Sequence, residues 1–341
     1  MDPVSQGTVG AALAQSSANK NNIAKISIVG FLAGLAPDLD VLIRSSTDPV
    51  LFLEYHRQFT HSLVFIPFGA FFVAAVIFPL VRNSLSFKTT YVASFLGYAT
   101  HGLLDACTSY GTLLFWPFSN ERVTWNNISI VDPLLTIPVL ILVLVAVNTH
   151  RRRFSFFAVG WIASYLALGF VQYERTLSSA HQLAQSRGHN AERVTLKPSF
   201  GNLILWKSIY QHGDRFYVDA IRAGLELTWC AGESVKIFDA QYHLSALDKN
   251  SQQMKDIQRF RWFSQDYLGF DRDRNLVTDV RYSMIPNQIT PMWGLVIDEE
   301  KGSSEHAVWW ASRDLGDDDL TLFKEMVLGH DCKSKYPLNK F

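Results

Sequence analysis

Three short stretches in the N-terminal third of the chain gather side chains able to hold a metal ion: "GLAPDLD" with Asp38 and Asp40, "YHRQFTHS" with His56 and His61, and "YATHGLLDACTSYG" with His101 and Asp105. Imidazole mixed with carboxylate is the ligand set of zinc, manganese or iron, whereas calcium prefers oxygen alone. His101 and Asp105 are four residues apart, which on a helix puts both side chains on one face about a turn apart. Asp38 and Asp40 follow Pro37, whose fixed φ and missing N–H suit a helix end or turn that presents both carboxylates. His56 and His61 are five apart, so a continuous helix would separate them by roughly 140° and a break between them is expected.

Each stretch alone has a plainer explanation. The helical His and Asp can satisfy one another, Asp38 and Asp40 can cap a helix, and His56 and His61 can be polar residues at an interface. Together they point to a metal site, because only 10 histidines exist in the chain and three of them sit beside these acids. The rival is a proton or ion pathway, since ionisable groups at membrane depth are costly and mark function of either kind. As a metal site, Asp38, His56, His61, His101 and Asp105 are the expected ligands of one or two divalent ions, zinc foremost, with manganese or iron as alternatives. Asp40 is a further ligand or the partner that orients an imidazole. Arg57 and Arg122 suit an anion clamp, with headgroup anchoring as the alternative, and Thr60, Ser62 and Ser109 offer supporting hydroxyls. A metal-bound water would then be the nucleophile toward an ester.

The elements that must position these residues are apolar. Residues 1–171 carry 10 Lys+Arg and 8 Asp+Glu, leaving 31 − 10 = 21 and 31 − 8 = 23 for the rest of a chain whose formal charge is zero. No bulk attraction to nucleic acid is implied. Crossing a bilayer takes about 20 mostly apolar residues. Residues 63–81 meet that outright, 154–171 nearly so, 128–147 if Asp132 sits at its mouth, and 91–104 and 26–36 are shorter candidates. The N-terminal segment "MDPVSQGTVGAALAQSSANKNN" lacks the pattern of a signal peptide and reads as a short amphipathic helix on or in the bilayer. The expected fold is therefore a mainly α polytopic membrane domain of about five apolar helical segments plus an amphipathic N-terminal helix, over residues 1–171. A stalk at 172–195 and a soluble β-rich α+β domain at 196–341 follow. Basic residues, "HRRR" at 150–153 above all, place the loops near 82–88 and 150–153 on the cytoplasmic side. All three ligand stretches and the C-terminal domain then fall on the outer face.

The ordered stretches "MDPVSQGTVGAALAQ", "GLAPDLD", "HRQFTHS" and "HGLLDACTSYGTLLFWPFSNER" resemble the membrane-bound metal-dependent hydrolases of the YdjM-like inner-membrane family. The resemblance implies a bacterial or archaeal inner-membrane protein with hydrolase activity. A fainter similarity of the ligand set to zinc-dependent phospholipases C implies a phosphate ester, from a membrane lipid or a lipid-linked carrier, as substrate. An ion-coupled transporter and a non-catalytic scaffold are the alternatives. No internal repeat of the transporter kind is visible, and the ligand stretches collect on one face.

In the C-terminal part, "NLILWKSIY", "DRFYVDAIR", "FRWFSQDYLGF", "LVTDVRYSM" and "MWGLVID" read as strands, with a hairpin across "QHGD", and residues 317–328 as a helix. "DRDR" at 271–274 reads as a solvated turn, and "FWPFSNER" as an interfacial aromatic belt or a lid. The cysteines Cys107, Cys230 and Cys332 fit no zinc spacing, and a Cys230 to Cys332 bridge stays open.

Overall fold

The computed structural model describes residues 1–330, so Cys332 lies outside the described residues. Two compact units emerge, one of Met1–Leu42, Tyr55–Val171 and Phe200–Leu203, the other of Ile43–Glu54, Gln172–Ser199 and the chain from Ile204 onward. The main run of the first unit ends at Val171, and the excursion 43–54 clusters with the second unit. Within 172–195 one helix continues through Ser186 and a strand begins at Arg193.

The helices in chain order are α1 (Pro3–Gln15), α2 (Ile23–Leu35), α3 (Leu51–Tyr55), α4 (Ile66–Val81), α5 (Phe87–Ala106), α6 (Pro133–Thr149) and α7 (Arg153–Ser186), with 3-10 turns at Ala36–Leu42 and Phe59–His61. Local chemistry sets their starts. Asp2 accepts the Ser5 N–H at 3.0 Å ahead of Pro3, Ser86 accepts the Thr89 N–H at 3.2 Å, and Asp132 accepts the Leu135 N–H at 3.3 Å ahead of Pro133.

Helix α1 corrects the first expectation. Ser5 through Ala12 are all buried, which is more than two full turns, so it is a core helix and not an amphipathic one on a surface. Glycines make this packing work: a Cβ on Gly10 would stand 2.6 Å from the Gly30 carbonyl oxygen, and one on Gly34 would stand 2.6 Å from that of Gln6. The α1 and α2 backbones thus touch directly.

The expectation of about five apolar spans is likewise overturned. Among the described residues two helices are long and apolar enough to cross a membrane, Leu63–Val81 with 19 residues and Arg153–Ser186 with 34. Helix α6 is apolar but has 17 residues, and α2 has 13, or about 20 Å against a hydrocarbon layer of about 30 Å. Helix α5 has 20 residues but buries Thr90, Ser94, His101 and Asp105, and so serves as a polar-lined core helix. Helix α4 instead leaves Phe68, Phe71, Phe72, Val76 and Leu80 exposed, as a lipid-facing surface requires.

The second unit holds two antiparallel sheets. Strands β1 (Arg193–Pro198), β2 (Leu205–His212), β3 (Arg215–Ala223) and β4 (Leu227–Cys230) lie in order, and β5 (Ser234–Lys236) also pairs with β3. Strands β6 (Leu268–Asp271), β7 (Leu276–Asp279), β8 (Trp293–Val296) and β9 (Val308–Ala311) form the other. The hairpin across "QHGD" is present, with Gly213 at φ 57 and His212 opposite Arg215. Helices α8 (Ala240–His243), α9 (Gln252–Phe263) and α10 (Asp317–Leu328) complete the unit. Helix α9 corrects the strand reading of "FRWFSQDYLGF": the Ser251 hydroxyl caps it at the Met254 N–H, and its last turn takes up Phe260 to Phe263, leaving only the end of the stretch to β6.

Inside this unit, Arg259 of α9 fastens the excursion 43–54. It bonds both oxygens of Asp48 at 2.9 Å and Glu54 at 2.6 Å, and Phe52 stands edge-on to Trp309 with centroids 5.0 Å apart.

Candidate metal centre

The site is assembled from three elements. The 3-10 turn after α2 carries Asp38 and Asp40, the turn Phe59–His61 carries His61, and the last turns of α5 carry His101 and Asp105. Between Tyr55 and Phe59 the backbone breaks at Arg57, which has φ 65, so His56 and His61 leave the chain in different directions as expected. Gly102 lets His61 come close: a Cβ there would stand 2.2 Å from the His61 carbonyl oxygen.

Four acceptor atoms converge. His61 Nε2 lies 2.9 Å from His101 Nε2, 3.4 Å from Asp38 Oδ1 and 3.3 Å from Asp105 Oδ2. His101 Nε2 lies 3.3 Å and 3.6 Å from the same two oxygens. A tetrahedral ion with ligand bonds of about 2.0 Å has edges of about 3.3 Å. All but the Asp38 side chain, which is partly exposed, are fully buried.

The tautomers are set from behind. His101 Nδ1 stands 2.6 Å from the Gly34 carbonyl oxygen, which can only accept, so this nitrogen carries the hydrogen and Nε2 presents a lone pair. His61 Nδ1 faces Asp40 Oδ2 at 3.2 Å and the Thr60 hydroxyl at 2.9 Å. Histidines backed by a carbonyl or a carboxylate in this way are characteristic of metal ligands. Asp38 Oδ1 and Asp105 Oδ2 are buried and have no aligned hydrogen-bond donor. Four lone-pair atoms packed this tightly repel one another unless a positive charge sits among them.

The titration of the loop residues shows the same demand. Burial alone would strip His61 of its proton, but the carboxylates of Asp105, Asp38 and Asp40 outweigh it and push its pKa up to about 10. Burial would raise Asp38 and Asp40, yet His101 and His61 hold the first, and His56 and His61 the second, well below the usual carboxylate range. A proton on His61 can supply the missing charge, and a divalent cation with neutral imidazoles can supply it too.

The other expected site residues surround this set. His56 Nδ1 bonds Asp40 Oδ1 at 2.7 Å, so His56 stands outside the four and forms, with Asp38 and Asp40, a second group of ligand atoms. Asp40 also accepts the Arg57 N–H at 2.9 Å and the Thr60 hydroxyl at 2.8 Å, which makes it the hub that fixes both histidines. Arg57 Nε lies 3.1 Å from Asp105 Oδ2, and its guanidinium stacks 4.6 Å from the Tyr110 ring. Arg122 approaches the same ring at 5.8 Å and donates to the Gly111 carbonyl at 2.9 Å. The Ser62 hydroxyl donates to the Phe59 carbonyl at 2.9 Å.

Residues with no ligand chemistry also enter the site. Gln6 of α1 is buried and donates to Asp105 Oδ1 at 2.9 Å, and the Met1 amino group pairs with the same oxygen. A neutral glutamine in a Gly- and Ala-rich helix gives no sequence signal; the only hint would have been that α1 is too small-sided to float on a bilayer.

The family profile described as YdjM inner membrane protein matches residues 1–176, which include every residue of this centre. An uncharacterized protein of Bacillus subtilis (strain 168), YfhP, is 29% identical over 111 residues, covering 32% of this chain and 33% of that protein. The chain thus matches about a third of that relative's length. No solved structure matches the chain. With the profile spanning more than half of the sequence, the chain belongs to the YdjM inner membrane protein family.

Proposed function

We propose that the chain is a metal-dependent hydrolase of the inner membrane, with one divalent ion, zinc foremost, held by Asp38, His61, His101 and Asp105. The observation that carries this reading is the convergence of two imidazole nitrogens and two unsatisfied carboxylate oxygens at 2.9 to 3.6 Å, with the nitrogens fixed from behind. When bound, the ion would supply a water of lowered pKa and polarise an ester oxygen.

The chain's own residues do the rest. The Gly34 carbonyl and Asp40 hold the two imidazoles, and Arg57 and Gln6 hold Asp105. Asp38, at the partly exposed edge, is the ligand a substrate would meet first. Arg57 and Arg122, gathered on Tyr110, place positive charge beside the centre, which favours a phosphate ester over a neutral one. In the same loop Phe115 and Phe118 are 49% and 85% exposed, suited to headgroup depth and to a lipid or lipid-linked substrate. The basic loops argue for an extracytoplasmic site and C-terminal unit.

The test is hydrolysis of bis(p-nitrophenyl) phosphate by detergent-purified protein, before and after stripping with a chelator. Turnover that disappears on stripping, returns with zinc or manganese and is absent from His61→Ala supports the reading. Turnover indifferent to chelator and to that substitution contradicts it.

A further inference from the structure

A second concentration of buried charge lies wholly in the C-terminal unit. Lys197 of β1 and Lys207 of β2 are register partners, so the two side chains leave neighbouring strands side by side on one face. Lys207 is 1% exposed and ranks among the largest fully buried side chains. Its Nζ donates to the Ser283 hydroxyl at 2.7 Å and the Gln288 carbonyl at 2.8 Å, both neutral. Lys197 is half-buried, and its Nζ sits 3.5 Å from the centroid of the Tyr282 ring. Like charges directly opposed in a sheet destabilise it, and a buried ammonium without a counter-charge costs more still.

The nearby acids do not answer this charge. Asp279 is committed to Arg281, receiving its Nε at 2.9 Å, its terminal nitrogen at 2.7 Å and its backbone N–H at 3.1 Å. Glu233 accepts the Ile289 N–H at 2.8 Å. Among the described residues neither lysine forms an ion pair with a carboxylate. Arg281 also lies over Tyr282, 5.4 Å from the ring centroid, so Arg281 and Lys197 face one ring and only Arg281 is neutralised.

We propose that Lys197 and Lys207 form an anion-binding site for a phosphoryl group, separate from the metal centre. Two ammoniums match a dianion such as a phosphate monoester or free phosphate better than a monocarboxylate. Lys207 keeps one N–H beyond its two neutral acceptors, and the half-buried Lys197 marks the side from which the ligand enters. Tyr282, with Trp293 packed on it at 4.3 Å, walls the site. Burial pushes the Lys207 ammonium down to about 7, and burial and Lys207 together hold Lys197 well below its usual value. A bound dianion would restore both charges.

The test uses the full chain in detergent, stripped of metal and carrying His61→Ala, so that phosphate cannot report on the metal centre. Titration with inorganic phosphate should raise the melting temperature saturably, and acetate at equal ionic strength should not. Lys207→Met and Lys197→Met should each weaken the phosphate midpoint at least tenfold. If either variant fails to fold, the unsubstituted chain is reductively methylated and read by mass spectrometry, where phosphate should protect the half-buried Lys197. A phosphate response that survives both substitutions, an equal response to acetate, or labelling unaffected by phosphate overturns the proposal. An ester such as phenyl phosphate competing at the same lysines points to a phosphorylated ligand, and its failure while phosphate binds points to the free ion.

Discussion

Asp48, Asp256 and His306 in the C-terminal unit bring ligand-type atoms within 4.8 Å of one another, as Asp38, His61, His101 and Asp105 do in the membrane unit. Both clusters mix aspartate with histidine, three ligand residues in the first and four in the second. Their hydrogen bonds differ. Arg259 occupies the first, bonding Asp48 through two nitrogens at 2.9 Å and reaching Asp256 at 3.3 Å, while Asp256 Oδ2 also accepts the Ala307 N–H at 3.0 Å and faces His306 at 2.9 Å. There the protein supplies its own cation and every acid is answered. In the membrane unit Arg57 reaches one edge of Asp105 and the Met1 amino group the other, yet Asp38 Oδ1 and Asp105 Oδ2 stay without aligned donors and two imidazole nitrogens turn inward. The lesson is that a cation site is recognised by acceptors left over after the protein's own cations are counted, and proximity alone does not identify it.

This contrast can be broken or sharpened by substitution. The largest effect should come from His61→Ala and Asp105→Ala, each of which should reduce metal bound per chain, measured by mass spectrometry of digested protein, to near background. Asp256→Ala and His306→Ala should leave it unchanged. Equal losses from both clusters would erase the distinction. Gly102→Ala should come next, because the added methyl would push against the His61 carbonyl and displace that ligand by about 1 Å. Metal affinity should then fall by at least about a hundredfold while the chain remains folded by circular dichroism.

Asp40→Asn keeps the shape but removes the charge behind His61, so affinity measured by competition with a chromogenic chelator should drop about 10- to 100-fold. Arg259→Ala should act on stability alone. Asp256 is buried, but Arg259 is 18% exposed and Glu54 37%, so the loss should be about 2 kcal/mol, between surface and buried pairs, read as a lower denaturant midpoint. Metal content should not change. If Arg259→Ala instead creates a new metal site among Asp48, Asp256 and His306, the leftover-acceptor rule is sharpened into a design rule.

The ligand stretches were legible in the sequence because their chemistry is rare there and their spacings are geometric. The four-residue step from His101 to Asp105, and the five-residue step that forces a break between His56 and His61, both carry over into the structure. Helix α1 was not legible, because Gly and Ala give no amphipathic stripe whether a helix is buried or afloat. The overcount of spans has a different root: α2 and α6 are apolar, and α6 leaves Leu134, Ile137, Ile141 and Leu144 exposed, but with 13 and 17 residues they fall short of the length of a spanning helix. Gln6, Gly102 and the Arg259 clamp depend on contacts across 99, 41 and 211 positions of chain, which no local pattern encodes. For Gly102 the essential feature is the absence of a side chain.

The most direct test of the metal centre is X-ray absorption at the zinc edge on protein reconstituted with zinc in detergent. The account predicts a shell of nitrogen and oxygen at about 2.0 to 2.1 Å with the outer scattering of two imidazoles, falling to one in His101→Ala. A shell without imidazole, or one left unchanged by that substitution, would contradict it.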